Sequence, residues 1–354
     1  MQITAVTARR VAVPLTEPFE VSLGVIDTAD TVFVRLETDA GLTGYGEGAA
    51  TPFVTGETAQ TVLGAIDLFK PLLVGASPHQ VEGLHRAMDR VLVGNGSAKA
   101  AVDLALYDLL AKAAGLPLYR YLGGSDGVVE TDMTIGLMTP AAMAARAAEL
   151  VAAGYRQIKV KAGADDAQDR SAIRLIREAA PVAHLKVDAN QGWNPAQALA
   201  LLREYAEFGV ESIEQPVPYW DRDGLAWLRA RSPIPVMADE SCFTPHDAAA
   251  LVRHQAVDQI NIKLMKCGGI YPALQINAVA EAAGVTCMVG CMLESRLSIA
   301  AGMHLVAAKA NIVQADLDSF ADFDDSALVT GPWRFTPPCL DLGEAPGIGL
   351  EPVF

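Results

Sequence analysis

Asp188 in VDAN, Glu214 in IEQP and Asp239 in ADES follow one another at intervals of 26 and 25 residues, and each sits at the end of a short apolar run. In LKVDAN the alternation of a strand sends Leu185 and Val187 to one side and Lys186 and Asp188 to the other; Glu214 and Asp239 share the inward phase. Three carboxylates delivered to one rim repel one another unless something positive joins them. Any one of them could equally serve a salt bridge or a helix N-cap. Three at matching strand ends point instead to a bound hard dication. An all-oxygen set selects Mg2+ rather than zinc, and the six histidines form no HxH or HxxxH pair.

Lys161, from IKVKAG, lies one strand before the acids, and Lys263, from INIKLM, one strand after. That order places an amine on each side of the metal. A carbon acid whose carboxylate binds Mg2+ would present its α-proton to one amine and its opposite face to the other, with the metal stabilising the enediolate. A lysine base needs its pKa brought down to roughly 7–8, and a neighbouring cation does this. Lys159, two residues before Lys161 on the same face, is the expected neighbour. A KxK strand is otherwise a solvated edge, whereas Lys266 is expected at the surface or at a helix start.

Positioning these groups requires a repeated unit. From Thr131 onward, short strands alternate with helix-length amphipathic segments, and most strands finish on a charge: Lys161, Asp188, Glu214, Asp239, Lys263 and Asp316. Successive intervals of 27, 26, 25 and 24 residues are the length of one strand, one helix and two loops. Eight such units close a parallel α/β barrel of the TIM type, whose active sites sit at the strand C-terminal ends. An open doubly wound sheet is the competing arrangement, but no GxGxxG follows the first strand. Before the barrel, three strand patterns precede three helical ones, the last starting at an expected N-cap, Ser97, and stopping at Gly115-Leu116-Pro117. This segregation reads as a small α+β domain.

The balance of 27 basic against 42 acidic residues, a net charge of −15, disfavours nucleic acid or an anionic membrane as partner. No stretch approaches a membrane span, and MQITAVTARRVAVPL alternates like a strand rather than a signal peptide. Five cysteines without a CxxC pair read as reduced thiols, so the expected location is cytoplasmic.

Together, KVK (Lys159–Lys161), VDANQGW, IEQP, ADES and NIKLMKCGG resemble the enolase superfamily, specifically its muconate-lactonizing-enzyme subgroup, over nearly the whole chain. The resemblance implies a (β/α)7β modified TIM barrel at 126–322, an N-terminal α+β capping domain at 1–125 that carries specificity loops, and a C-terminal segment, 323–354, packing back on the cap. It implies Mg2+ on Asp188, Glu214 and Asp239, and Lys161 and Lys263 as opposed bases of a homo-oligomeric isomerase. Lys263 on the second side separates this subgroup from mandelate-racemase-like members. Asp316 and Asp318, in ADLD, resemble the DxD motif of dipeptide epimerases, which holds the α-ammonium of the substrate while the C-terminal carboxylate meets the metal. The function so implied is inversion of the α-carbon of a dipeptide's C-terminal residue by 1,1-proton transfer.

Members of the subgroup acting on Ala-Glu carry an arginine in the first cap-domain loop; the aligned position in PLTEPFEVSLGVID is Gly24, which makes Ala-Glu an unexpected substrate. Leu293 in MVGCMLES, with Phe19, Ile26 and Phe53 from the cap, favours an apolar second residue. A cationic one stays open through Asp322 and the loop glutamates, as does a cycloisomerase or an o-succinylbenzoate-synthase-type syn-dehydratase on the same scaffold.

Overall fold

The computed structural model describes residues 1–21 and 24–354, and the side chains of 17–26 lie outside the described residues. Strand β1 (Ile3–Val21) pairs antiparallel with β2 (Gly24–Thr38), which pairs with β3 (Thr43–Ala49). The segment expected as a cap loop is therefore, in its described backbone, the outer part of a hairpin: Phe19 pairs with Ile26 and Glu20 with Val25. A register shift between Pro14 and Phe19 interrupts the ladder after a residue that has no N–H to donate.

The alternation in TGYGEG has a packing reason. A Cβ on Gly44, Gly46 or Gly48 would stand 2.2, 2.1 or 2.6 Å from the carbonyl oxygens of Ala105, Ala101 and Ser97. Those three residues are spaced by four along the helix Gly96–Ala114, so one face of the helix lies on bare strand backbone. Asn95, in a left-handed conformation, starts this helix; Ser97 lies two residues too far in to be the cap expected from sequence. The N–H groups of Ser97 and Ala98 donate instead to the Glu57 carboxylate, at 3.0 and 3.2 Å. With helices Ala59–Leu73 and Val81–Val91, the sheet encloses a core of Val32, Val34, Leu36, Ile66, Phe69 and Leu106.

Eight strands, Met133–Ile135, Gln157–Lys161, His184–Asp188, Val210–Glu214, Val236–Ala238, Gln259–Lys263, Thr286–Gly290 and Ile312–Asp316, lie side by side in chain order, all parallel. Every barrel strand read from the sequence is among them. The ring is drawn together where the Asp132 N–H donates to the Ala315 carbonyl at 3.1 Å and the Leu317 N–H to Thr131 Oγ1 at 2.9 Å. Helices between the strands cover the outward residues Ile158, Val160, Leu185, Val187, Ile213, Ile260 and Ile262, all buried. After the eighth strand, Cys339–Asp341 pairs with Val128–Glu130, and the last residues reach β1 and β3: Arg9 donates to the Val353 carbonyl at 2.9 Å and Phe354 stacks on Tyr45. No helix among the described residues is long and apolar enough to cross a membrane.

Candidate active site

Parallel strands in register put residues of one phase side by side. Lys161 pairs with Asp188 across the second and third strands, and Asp188 with Glu214 across the third and fourth. Asp239 follows one residue after the fifth strand, Lys263 ends the sixth and Asp316 the eighth. All are buried. The chain turns sharply just beyond: Asn190, Gln191 and Gln215 have φ of +39°, +71° and +35°, unusual for residues with a Cβ and frequent where function dictates side-chain placement. Gly163 is needed where the loops after the second and third strands touch, since its φ is +97° and a Cβ there would meet the Ala189 carbonyl at 2.4 Å.

Carboxylate oxygens of Asp188, Glu214 and Asp239 lie within 4.8 Å of one another. The donors are all hard oxygens, buried and convergent, which fits a small dication such as Mg2+. Burial, then the adjacent Asp188, pushes the Glu214 carboxyl up to about 7, so this group carries repulsion that a cation would relieve. Asp188 and Asp239 are held below the usual range: burial works against their charge, but lysines more than reverse it. Asn261 Nδ2 fixes Glu214 from behind at 2.7 Å.

Lys161 Nζ donates to Asp188 Oδ2 at 2.7 Å and to Asn190 Oδ1 at 2.9 Å. Lys263 Nζ lies 3.0 Å from Asp239 Oδ2. Burial disfavours the Lys263 ammonium, yet Asp239 and the further acids raise its pKa. Lys159 is set among acids, 2.7 Å from Asp316, 2.9 Å from Glu214 and 3.1 Å from Asp188, so burial fails to neutralise it and its pKa is raised as well. It links the metal-type triad to Asp316.

Lys266, expected at the surface or a helix start, is buried on the short helix Leu264–Cys267, and its Nζ meets Asp239 Oδ1 at 2.5 Å and the Asn261 carbonyl at 3.1 Å. Lys263 keeps extended backbone geometry at the N-cap of that single turn, so neither strand alternation nor helical spacing ties Lys266 to it in the sequence. Asn190, two residues after Asp188, was likewise missed. So was the buried pair Lys186–Asp132, 2.5 Å apart beneath the mouth.

A cavity opens above these groups, lined by Lys159, Lys161, Asn190 and Lys263 at its base, by Asp316, Asp318 and Asp322 at one end, and by Phe53, Val54, Met292 and Leu293 along its wall. Asp318 Oδ2 accepts from the Thr134 N–H at 2.6 Å. Leu293 and Phe53 are thus where the sequence placed them, while Gly24, Phe19 and Ile26 fall where the side chains lie outside the described residues. The loop bearing Leu293 is tied to the cap through Glu47 of β3, which accepts from the Ser295 N–H and hydroxyl at 2.9 and 2.6 Å and from the Ser298 N–H at 3.1 Å.

Residues 3–123 match the N-terminal domain of the mandelate racemase / muconate lactonizing enzyme family, and residues 142–353 match its enolase C-terminal domain-like partner. A hydrophobic dipeptide epimerase of Enterococcus faecalis is 43% identical over 99% of this chain and 100% of that protein. An L-Ala-D/L-Glu epimerase of Clostridium acetobutylicum is 41% identical over 100% of this chain and 99% of that protein. The crystal structure of the Enterococcus faecalis dipeptide epimerase complexed with Mg and L-Leu-L-Tyr superposes with a TM-score of 0.97, covering 99% and 100% of the two chains at 43% identity. With a triad, two flanking lysines and an eight-stranded parallel barrel behind it, the chain belongs to the mandelate racemase/muconate lactonizing enzyme family of the enolase superfamily, and it is an isomerase.

Proposed function

We propose that the protein is a Mg2+-dependent epimerase of dipeptides, inverting the α-carbon of a C-terminal residue with an apolar side chain. One observation carries the reading: a single cavity is lined by Lys161 and Lys263 with Lys159 beside them, by Asp316 and Asp318 at one end, and by Phe53, Val54, Met292 and Leu293. Asp188, Glu214 and Asp239 would hold the metal; when bound, it supplies positive charge that stabilises the anion developing on the substrate carboxylate. Lys161, held by Asp188 and Asn190, and Lys263, held by Asp239, each present an Nζ to the cavity floor. One Nζ in its amine form takes the α-proton from one face of the carbon. The other, as ammonium, returns a proton to the opposite face, so atoms balance and only configuration changes. Lys159, raised in pKa by its acids, stays protonated and contributes fixed positive charge beside Lys161.

Asp316 and Asp318 would accept hydrogen bonds from the substrate's α-ammonium, setting the distance between that end and the metal to one dipeptide. The apolar wall supports an apolar second residue, as does the likeness to the hydrophobic dipeptide epimerase. The division into 1–125, 126–322 and 323–354 belongs to the same proposal, supported by a separate buried cluster under the N-terminal sheet. The test is deuterium uptake from D2O at the second residue of Ala-Leu, Leu-Tyr and Ala-Glu, with and without Mg2+. Uptake is expected with the apolar dipeptides only when metal is present, falling at least a thousandfold in Asp316→Asn and Lys161→Ala. Either variant epimerising at the parent rate would sink the scheme.

A further inference from the structure

Asp322 is the one carboxylate of the cavity lining whose oxygens meet no hydrogen-bond or ion-pair partner among the described residues. Its side chain is half-buried, and its main-chain carbonyl accepts the Thr16 N–H at 2.8 Å, which anchors its position to β1. Asp318 and Asp322 flank the same 3-10 turn, Ser319–Ala321, the first before it and the second after it. Burial, then the Asp318 charge, pushes the Asp322 carboxyl up to about 7; Arg146 acts weakly in the other direction. That arginine is already engaged by Glu149 at 3.1 Å, so it does not supply the missing partner.

We propose that Asp322 is a specificity-determining residue that receives the positively charged side chain of the dipeptide's first residue, a lysine- or arginine-type cation. The inference deepens the epimerase reading and rests on it. Asp322 neighbours Asp318 rather than the triad, which assigns it to the ammonium end of the substrate and not to the second residue. The side chain of the first residue leaves the same carbon that carries the ammonium. A turn of four residues at about 2 Å per residue separates the two acids by about 8 Å of chain. An extended lysine side chain, five bonds of about 1.5 Å, spans about 6 Å and brings its Nζ to that carboxylate. A neutral first residue leaves the half-buried Asp322 without a charge partner, a cost that a cation removes. The cleft beyond also has Asp322 on its margin; Ile135, Leu137, Ala142 and Ala145 give the aliphatic stem apolar contacts there, beside the ion-paired Arg146 and Glu149.

The experiment uses the full chain with Mg2+ and compares kcat/KM for L-Lys-L-Leu with that for L-Met-L-Leu, whose first side chain is of similar length and uncharged. Deuterium uptake at leucine is the readout. The parent enzyme is expected to prefer the lysyl dipeptide at least tenfold, Asp322→Asn to bring the ratio to about one, and Asp322→Glu to restore much of the preference. A residue that merely supported the turn would change both rates together and leave the ratio alone. An unchanged ratio in Asp322→Asn, or no preference in the parent, overturns the assignment while leaving the epimerase reading standing. No uptake with either dipeptide overturns both.

Discussion

Asp239 is shared by two lysines that face different ways. Lys263 lines the substrate cavity, whereas Lys266 reaches the same carboxylate from behind, and its Nζ also meets the Asn261 carbonyl. Removing either leaves part of a buried charge without its partner, but the Lys263 side chain keeps 8% exposure whereas that of Lys266 has none. Lys266→Met is therefore expected to cost about 3 kcal/mol of stability, as breaking a buried pair does. Lys263→Met should cost less stability and nearly all of the activity. Urea unfolding midpoints beside initial rates separate the two, and equal stability losses would contradict the assignment. At this scale the sequence was legible wherever a strand phase announced a residue: Asp188, Glu214, Lys161 and Lys263 end their strands in the inward register. It was illegible for Lys266 and Asn190, because each follows its strand in a loop or a single helical turn, where no alternation tells the reader which way a side chain points.

At the scale of elements, long-range acids do what local caps were expected to do. Glu57 holds the first N–H groups of the helix Gly96–Ala114, and it stands just past Gly56, the C-cap of the short helix Pro52–Thr55 that carries Phe53 into the cavity wall. Glu57→Ala is expected to lower stability by about 2 kcal/mol, the upper end for a lost cap. It should also raise KM for an apolar dipeptide more than it lowers kcat, since the wall loses its anchor. Denaturant titration and steady-state kinetics on the same preparation check both parts; a loss confined to kcat would contradict the second. A capping acid 40 residues upstream leaves no pattern around Ser97, which is why the local rule pointed to the serine. The hairpin was misread as a loop for a related reason: Pro14 and Pro18 broke the alternation on which strand recognition depends.

At the scale of the whole molecule, His304 joins three parts of the chain. Its Nδ1 accepts the Tyr119 N–H at 3.1 Å, and its Nε2 faces the Ile348 carbonyl at 3.2 Å, which fixes a neutral ring with the proton on Nε2. Burial lowers its pKa to about 4 from 6.5. The unfolded chain therefore binds this proton first as pH falls, so the contribution is present above pH 6.5 and is lost between there and pH 4. It amounts to about 3 kcal/mol, and His304→Gln should flatten that part of the stability-pH curve by this amount. Unfolding midpoints at pH 7 and pH 4 for both proteins give the answer, and parallel curves would refute it. Barrel and cap were foreseeable because interval and alternation repeat through the chain, whereas the return of Phe354 to Tyr45 joins residues with no shared pattern at all. One feature of the cap bears on how such proteins diversify. Where Gly44, Gly46 and Gly48 rest on Ser97, Ala101 and Ala105, no side chain larger than hydrogen fits on three consecutive inward positions. Drift is barred from that seam, so β3 keeps its seat on the helix whatever changes elsewhere in the cap.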